Sequence, residues 1–479
     1  MFRSLRIRNY RLWFTGALVS NVGTWMQRTA QSWLVFDELT DHDATAMGVV
    51  MALQFVPQLL LAPYAGVLAD RYDRRRILVI TQGVMALLAL GLGILLLLDL
   101  AQLPTVYAFA LGLGIVATFD APVRQTFVSE MVPDTHVSNA VALNSTSFNS
   151  ARLIGPAVAG VLVAAVGTGW VFMINTLTFA AMICAIVLID AAKLRPAPRA
   201  RRARGQIREG IGYVLHRPDL VAVMSTIFMI GTFGMNFAVF LAAMGGSVFG
   251  RGSEEFGVLN SILAVGTLTG ALLSARRARA RLRYVFAGCV AFAITCLGAA
   301  TAPTLWVFAV WLVPCGIASL TIMTTANAYV QTTTAPAMRG RVMSLYMAIF
   351  MGGTPIGAPT VGWLTDTFGA RWGMGAAVLA GLVGVLIGAC FAWRLRREQR
   401  LAASSVPSSD PEEATGPAAS TERVPSTGPA PSSAPTMGHA PSSEPEAVSD
   451  PASPGRSDAP AGPPAADGPN AEPGTTPRG

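Results

Sequence analysis

Charged residues are scarce in this chain: aspartate, glutamate, lysine and arginine make up 13% of its 479 residues, about half their share in an average soluble domain. With 52% hydrophobic residues, that scarcity excludes an ordinary soluble domain and places the chain among membrane proteins. Lysine occurs once, at position 193, against 34 arginines, a bias expected of a GC-rich bacterial source. There is no Gly-Lys phosphate loop and no nucleophile elbow, so the chain is not expected to be an enzyme. Its cysteines, Cys184, Cys289, Cys296, Cys315 and Cys390, fall in apolar stretches without metal-ligand spacing and read as small hydrophobes. No cofactor is expected. Arg3, Arg6, Arg8 and Arg11 precede the first apolar run, but that run is too long for a signal peptide and lacks a cleavage site, so it is read as a retained span.

Apolar runs are abundant. Segments of about 20 apolar residues match a hydrocarbon core of ~30 Å, and they fall near 12–36, 45–69, 77–99, 104–127, 140–166, 170–190, 219–244, 257–275, 284–301, 304–332, 342–365 and 373–394. The expected fold class is an all-α membrane protein with twelve transmembrane helices. Basic residues cluster in alternate loops, at Arg71 to Arg76, Lys193 to Arg217, Arg276 to Arg283, Arg339 with Arg341, and Arg394 to Arg400. The other loops hold only Arg251 and Arg371, beside Asp37, Glu38, Asp41, Asp43, Asp99, Glu254 and Glu255. The bias predicts a multi-pass protein of a bacterial inner membrane with both termini cytoplasmic. The net charge of +8 thus sets orientation, and no nucleic-acid partner is expected. Residues 401–479 contain no aromatic residue and 17 of the 31 prolines, a composition that predicts a disordered cytoplasmic tail.

The longest basic loop divides the chain into an N-terminal bundle over 1–190, a linker over 191–218 and a C-terminal bundle over 219–400. A shift of 202 residues superimposes Leu143, Phe148, Ile154, Gly155, Gly160, Leu162, Gly167, Trp170 and Leu177 on Leu345, Phe350, Ile356, Gly357, Gly362, Leu364, Gly369, Trp372 and Leu379. One offset equal to half the membrane region is the mark of two parallel six-helix repeats.

Between the second and third apolar runs lies Gly66-Val67-Leu68-Ala69-Asp70-Arg71-Tyr72-Asp73-Arg74-Arg75-Arg76, a charge cluster that must be a short loop at a membrane surface. It resembles the helix 2–3 loop of the major facilitator superfamily, Gly-x-x-x-Asp-Arg-x-Gly-x-Arg-Arg. The second glycine is replaced by Asp73, which is expected to make the tight turn through its tolerance of left-handed backbone. Across the fifth span, Arg152, Gly155, Pro156 and Gly160 lie in a stretch similar to the superfamily's antiporter signature, with alanine at two glycine positions. Small residues on one stripe admit a close helix, and Pro156 removes a backbone hydrogen bond; ordinary small-residue packing gives the same spacing. The stretch from Pro133 to Ser145, mirrored by Pro336 to Leu345, is most similar to the efflux branch that includes the enterobactin exporter and macrolide or multidrug pumps.

The resemblance implies a secondary active transporter working by alternating access, in which Gly66, Asp70, Arg71, Arg74, Arg75 and Asp120 form a cytoplasmic gate. Asp70 would cap the eleventh span and Arg74 would pair with Asp120. A solvated loop needed only for topology is the alternative reading of the cluster.

Arg28 and Arg152 are hard to explain by packing, because a lone cation in the hydrocarbon region costs ~2.5–3.5 kcal/mol on insertion scales. They read either as a positive cavity for an anionic or electron-rich substrate, or as arginines bonded internally to Gln27, Gln31, Asn144 or Asn149. Gln31, Asn149, Asn236 and Asn327 are further cavity candidates. No acid lies near the centre of any span; Asp120 alone lies inside one away from its outer end, and it is the candidate proton carrier. The expected function is proton-coupled export of a siderophore or hydrophobic drug by a monomer, with protons and the lipid bilayer as the other partners. An importer, a non-transporting scaffold or sensor, and a lipid translocator remain alternatives.

Overall fold

The computed structural model describes residues 3–195, 206–275 and 280–404; residues 196–205 of the expected linker and all but the start of the expected tail lie outside them. Aspartates set two of the helix starts. Asp43 caps α2 (Ala44–Arg71) by accepting from the Ala46 amide at 2.8 Å, and Asp73 caps α3 (Arg74–Leu97) by accepting from Arg76 at 2.8 Å. Asp73 is extended, with φ −62° and ψ 117°, so the left-handed turn expected there is replaced by a helix cap. The N-terminal half is completed by α1 (Arg8–Trp33), α4 (Leu103–Glu130), α5 (Asp134–Val166) and α6 (Thr168–Val187). A short helix, α7 (Gln206–Leu215), follows in the linker and packs on the next half.

The seventh span is α8 (Pro218–Met229), a π turn at Ile230–Gly234 and α9 (Phe237–Ala243). Then come α10 (Ser253–Ala275), α11 (Leu282–Ala300) and α12 (Leu305–Thr333). The eleventh span is split into α13 (Arg339–Gly352) and α14 (Thr354–Phe368), and α15 (Ala370–Ser404) is the last.

Eleven segments among the described residues are long and apolar enough to cross a membrane. The first span, α1, is the exception by composition, and its burial explains why. It packs against α5 and α6, where Gln27 accepts from Asn175, Asn21 donates to Ser147 at 3.4 Å, and Gln31 accepts from Gln54 of α2 at 3.1 Å. With three helices packed on it, α1 exposes only a narrow stripe at Arg8, Arg11, Thr15 and Val19 and needs no broad apolar face for lipid.

The two halves repeat one another at the residue level. Gly167 and Gly369 both end their helices with positive φ, 83° and 96°. Gly155 abuts α1, where an added Cβ would lie 2.5 Å from the Trp25 Cβ, and its repeat mate Gly357 abuts the Thr232 carbonyl of the seventh span. Gly160 meets Gly257 of α10, while its mate Gly362 meets the Ala44 carbonyl of α2. Each half therefore contributes the same helix, once to its own first span and once to the opposite half. This is a twelve-span bundle of two six-helix repeats.

Candidate functional site

The halves meet along two helix pairs, α2 with α14 and α5 with α10. One end of the bundle carries the N-terminus and the α2–α3 and α4–α5 turns; we call it the terminal face and the other the far face. Close approach is concentrated toward the far face. An added Cβ on Gly160 would lie 2.7 Å from the Gly257 Cα, and one on Gly48 would strike the Ala358 carbonyl. Asp366 of α14 spans the gap, accepting from the Ala44 amide at 2.9 Å, the Thr45 amide at 2.8 Å and the Thr45 hydroxyl at 2.5 Å. A carboxylate there satisfies free N–H groups of α2 and meets the positive end of its dipole.

Large side chains along the seam differ in exposure between its two ends. Toward the far face Met47, Val50, Ala159, Phe256, Leu259, Ala358 and Val361 are buried, while Val161, Val258 and Trp363 on the same helices are exposed. Toward the terminal face Tyr64 of α2 is 67% exposed and Phe148 of α5 48%, and Leu268, Leu272, Met347 and Met351 on α10 and α13 are exposed too, while Ala65, Ala140, Leu143 and Ser147 are buried.

At the terminal face the charge cluster is built differently from the sequence expectation. Arg74 pairs with Glu130 at the end of α4, not with Asp120. Asp120 lies ten residues earlier, about 15 Å along the helix axis at ~1.5 Å per residue, too deep for Arg74. Asp120 instead accepts from Thr81 at 2.8 Å, Gln82 at 2.9 Å and Arg124 at 3.0 Å. Arg124 also donates to Asn21 at 3.3 Å, so one buried network joins α1, α3 and α4. Arg75 donates to the carbonyls of Ile186 at 3.1 Å and Val187 at 2.7 Å, a cation at the C-terminus of α6. Gly66 is buried and Arg71 is exposed; the Asp70 side chain lies outside the described residues.

Deeper in the bundle, Arg28 of α1 and Arg152 of α5 both face Trp25, each guanidinium carbon 5.5 Å from its ring, and Arg28 lies 5.3 Å from Phe55. Arg152 is exposed and sits one turn before Pro156 and two before Gly160, on the stripe that meets α10. Neither arginine has an acidic partner among the described residues. Gln31 is buried and tied to Gln54. Asn236 is buried within the C-terminal half, donating to the Thr232 carbonyl at 2.6 Å where the seventh span breaks, so its amide serves the helix break. Asn327 accepts from Gln331 on its own helix at 2.7 Å, and the Asn149 side chain lies outside the described residues.

Three residues that organise these sites went unassigned in the sequence reading: Glu130, Arg124 and Asp366. The i, i+4 spacing of Asp120 and Arg124 was a usable signal. Asp366 offered none, since its partner is a helix start 322 residues away.

Residues 1–418 match a family model described as transmembrane secretion effector, of the MFS_3 group. The chain is 25% identical over 369 residues to the staphyloferrin A transporter of Staphylococcus aureus, covering 75% of this chain and 90% of that one. It is 24% identical over 337 residues to the enterobactin exporter EntS of Escherichia coli O1:K1, covering 68% and 78%. Against the multidrug efflux pump Tap of Mycolicibacterium fortuitum it is 25% identical over 374 residues, covering 74% and 88%. Among solved structures, a bacterial homologue of the human lysosomal transporter Spinster, inward-facing and unoccupied, superposes with a TM-score of 0.65 at 15% identity, covering 79% of this chain and 96% of that one. A D-xylose–proton symporter gives 0.62, also at 15% identity, covering 79% and 96%.

Proposed function

The chain belongs to the transmembrane secretion effector family of major facilitator transporters, and from that premise we propose that it exports a small molecule by alternating access in exchange for protons. It is a multi-pass membrane transporter and not an enzyme. In this reading the terminal face is cytoplasmic, as the arginine bias requires, in the inner membrane of a bacterium, and one chain suffices because its own two halves enclose the pathway. The observation that carries the reading is the seal toward the far face, where α2 meets α14 and α5 meets α10 with glycine backbones in contact and Met47, Val50, Ala159 and Phe256 buried, while Tyr64 and Phe148 toward the terminal face are exposed. A bundle closed at one end and parted at the other is one of the two states alternating access requires.

Opening to the far side means separating Gly160 from Gly257, releasing the α2 start from Asp366, and drawing the terminal face together around Asp70, Arg71, Arg74 and Arg75. The Arg74–Glu130 pair holds α3 to α4 and gives the terminal face a rigid edge to close against. Asp120 is the proposed proton carrier: it is buried, and its three donors come from two helices, α3 and α4, so protonation loosens a joint within the half. The names of the relatives suggest siderophores and hydrophobic drugs as substrate classes, and the Gly155, Pro156, Gly160 stripe supports export. Everted vesicles test both direction and coupling. Acidifying the lumen should drive accumulation of an exported dye or siderophore, and collapse of the gradient should release it; accumulation driven only by an alkaline lumen would mark an importer.

A further inference from the structure

Two buried donors on one face of α1 have no acceptor among the described residues: the Arg28 Nε and the Gln31 Nε2. Three residues apart, they lie one above the other on the helix. Two of the amides expected as internal partners are engaged elsewhere, Gln27 with Asn175 and Gln31 with Gln54. From α5, Arg152 brings a second guanidinium to 5.5 Å from the same Trp25 ring, also without an acid among the described residues. The aromatic rings stabilise the two cations through their faces, yet leave the in-plane N–H donors unused. Buried donors left unpaired are costly unless a partner arrives, and the described residues supply none to Arg28 Nε or Gln31 Nε2.

We propose that Arg28, Gln31 and Arg152 form a binding site for an organic carboxylate, with Trp25, Phe55 and Phe148 receiving its apolar or aromatic body. The inference rests on the reading of this region as the transport pathway and names the substrate class for it. A carboxylate matches the guanidinium fork, accepting two parallel N–H bonds, and has a remaining lone pair for the Gln31 amide. Trp25 and Phe148 stand edge to face with centroids 5.8 Å apart, an apolar wall beside the charged end. Phe148 and Arg152 are exposed, so the ligand has a way in without unpacking the far seal.

The test uses the full chain purified in detergent and calorimetric titration with naphthoate, its neutral amide and naphthylmethylammonium. Naphthoate should bind in preference to both others. Arg152→Gln and Arg28→Gln should each weaken naphthoate by about tenfold or more, the usual weight of a charge-assisted hydrogen bond, and leave binding of the amide nearly unchanged. Should Arg28→Gln fail to fold, Arg152→Gln and the three-ligand comparison on the unaltered chain carry the test. Naphthoate binding no tighter than its amide, or unmoved by Arg152→Gln, overturns the site even if the chain exports other compounds. If naphthoate binds as expected while no substrate crosses a proteoliposome membrane, the transport reading fails and the carboxylate site stands.

Discussion

Asp120 is neutralised mainly from its own helix: Arg124, one turn on, donates to it at 3.0 Å and both side chains are largely buried. Removing the cation leaves a buried carboxylate without its charge partner, which costs about 3–5 kcal/mol in comparable settings. Arg124→Ala should therefore lower thermal stability in detergent sharply, and Arg124→Ala with Asp120→Asn should recover most of the loss. Failure of the double variant to recover would show that Asp120 matters through Thr81 and Gln82 instead.

Glu38 makes a separate prediction at the far face. Burial first, then the nearby Asp37, push its carboxyl above the ordinary glutamate range, opposed by the hydrogen bond from Thr168; His42 lies beside Asp37 at 3.3 Å. A raised folded-state value means that the folded protein holds the proton more tightly than the unfolded chain. Glu38 is thus no burden at acid pH, and stability falls as pH rises from the ordinary glutamate value through the raised one. Glu38→Gln keeps the acceptor for Thr168 and should be the more stable protein at neutral pH, the difference vanishing in acid. An equal difference at both pH values would exclude titration of this group. Single residues were the least legible part of the sequence. The charge cluster, Arg28 and Arg152 could be found because cations in apolar runs demand a reason, whereas Glu130 and Asp366 acquire meaning only from distant partners.

Between elements, the repeat has a measurable consequence. Gly167 and Gly369 hold φ of 83° and 96° with ψ of 163° and 158°, a region open essentially to glycine alone. Alanine at either position should cost about 1–3 kcal/mol, and by nearly the same amount, because each joins equivalent helices with open space around the Cα. Melting curves of the two variants check this, and a large inequality would show that the joints carry different strain. Helix count and the offset of 202 residues were readable beforehand, since span length and duplication are written in local composition. Breaks within spans were not. The π turn at Ile230–Gly234 and the division at Gly353 fall in runs as apolar as any other; the first is supported by a local bond from Asn236 to the Thr232 carbonyl and the second by a tertiary contact of Gly353 with Thr232.

For the whole molecule, the seal between α2 and α14 and between α5 and α10 defines one closed end. The proposed orientation and the half-and-half plan are read from loop charge and repetition, while the state of the gate depends on packing that no local pattern encodes. The central claim is that one pathway between the halves opens to each face in turn. The direct measurement is labelling of a single cysteine at Phe148, in a chain whose five native cysteines are replaced, reconstituted in sided proteoliposomes with a membrane-impermeant maleimide. The account predicts reaction from the terminal face at rest, and reaction from the far face only when substrate and a proton gradient drive turnover. Reaction from both faces at once, or from neither under any condition, would contradict it.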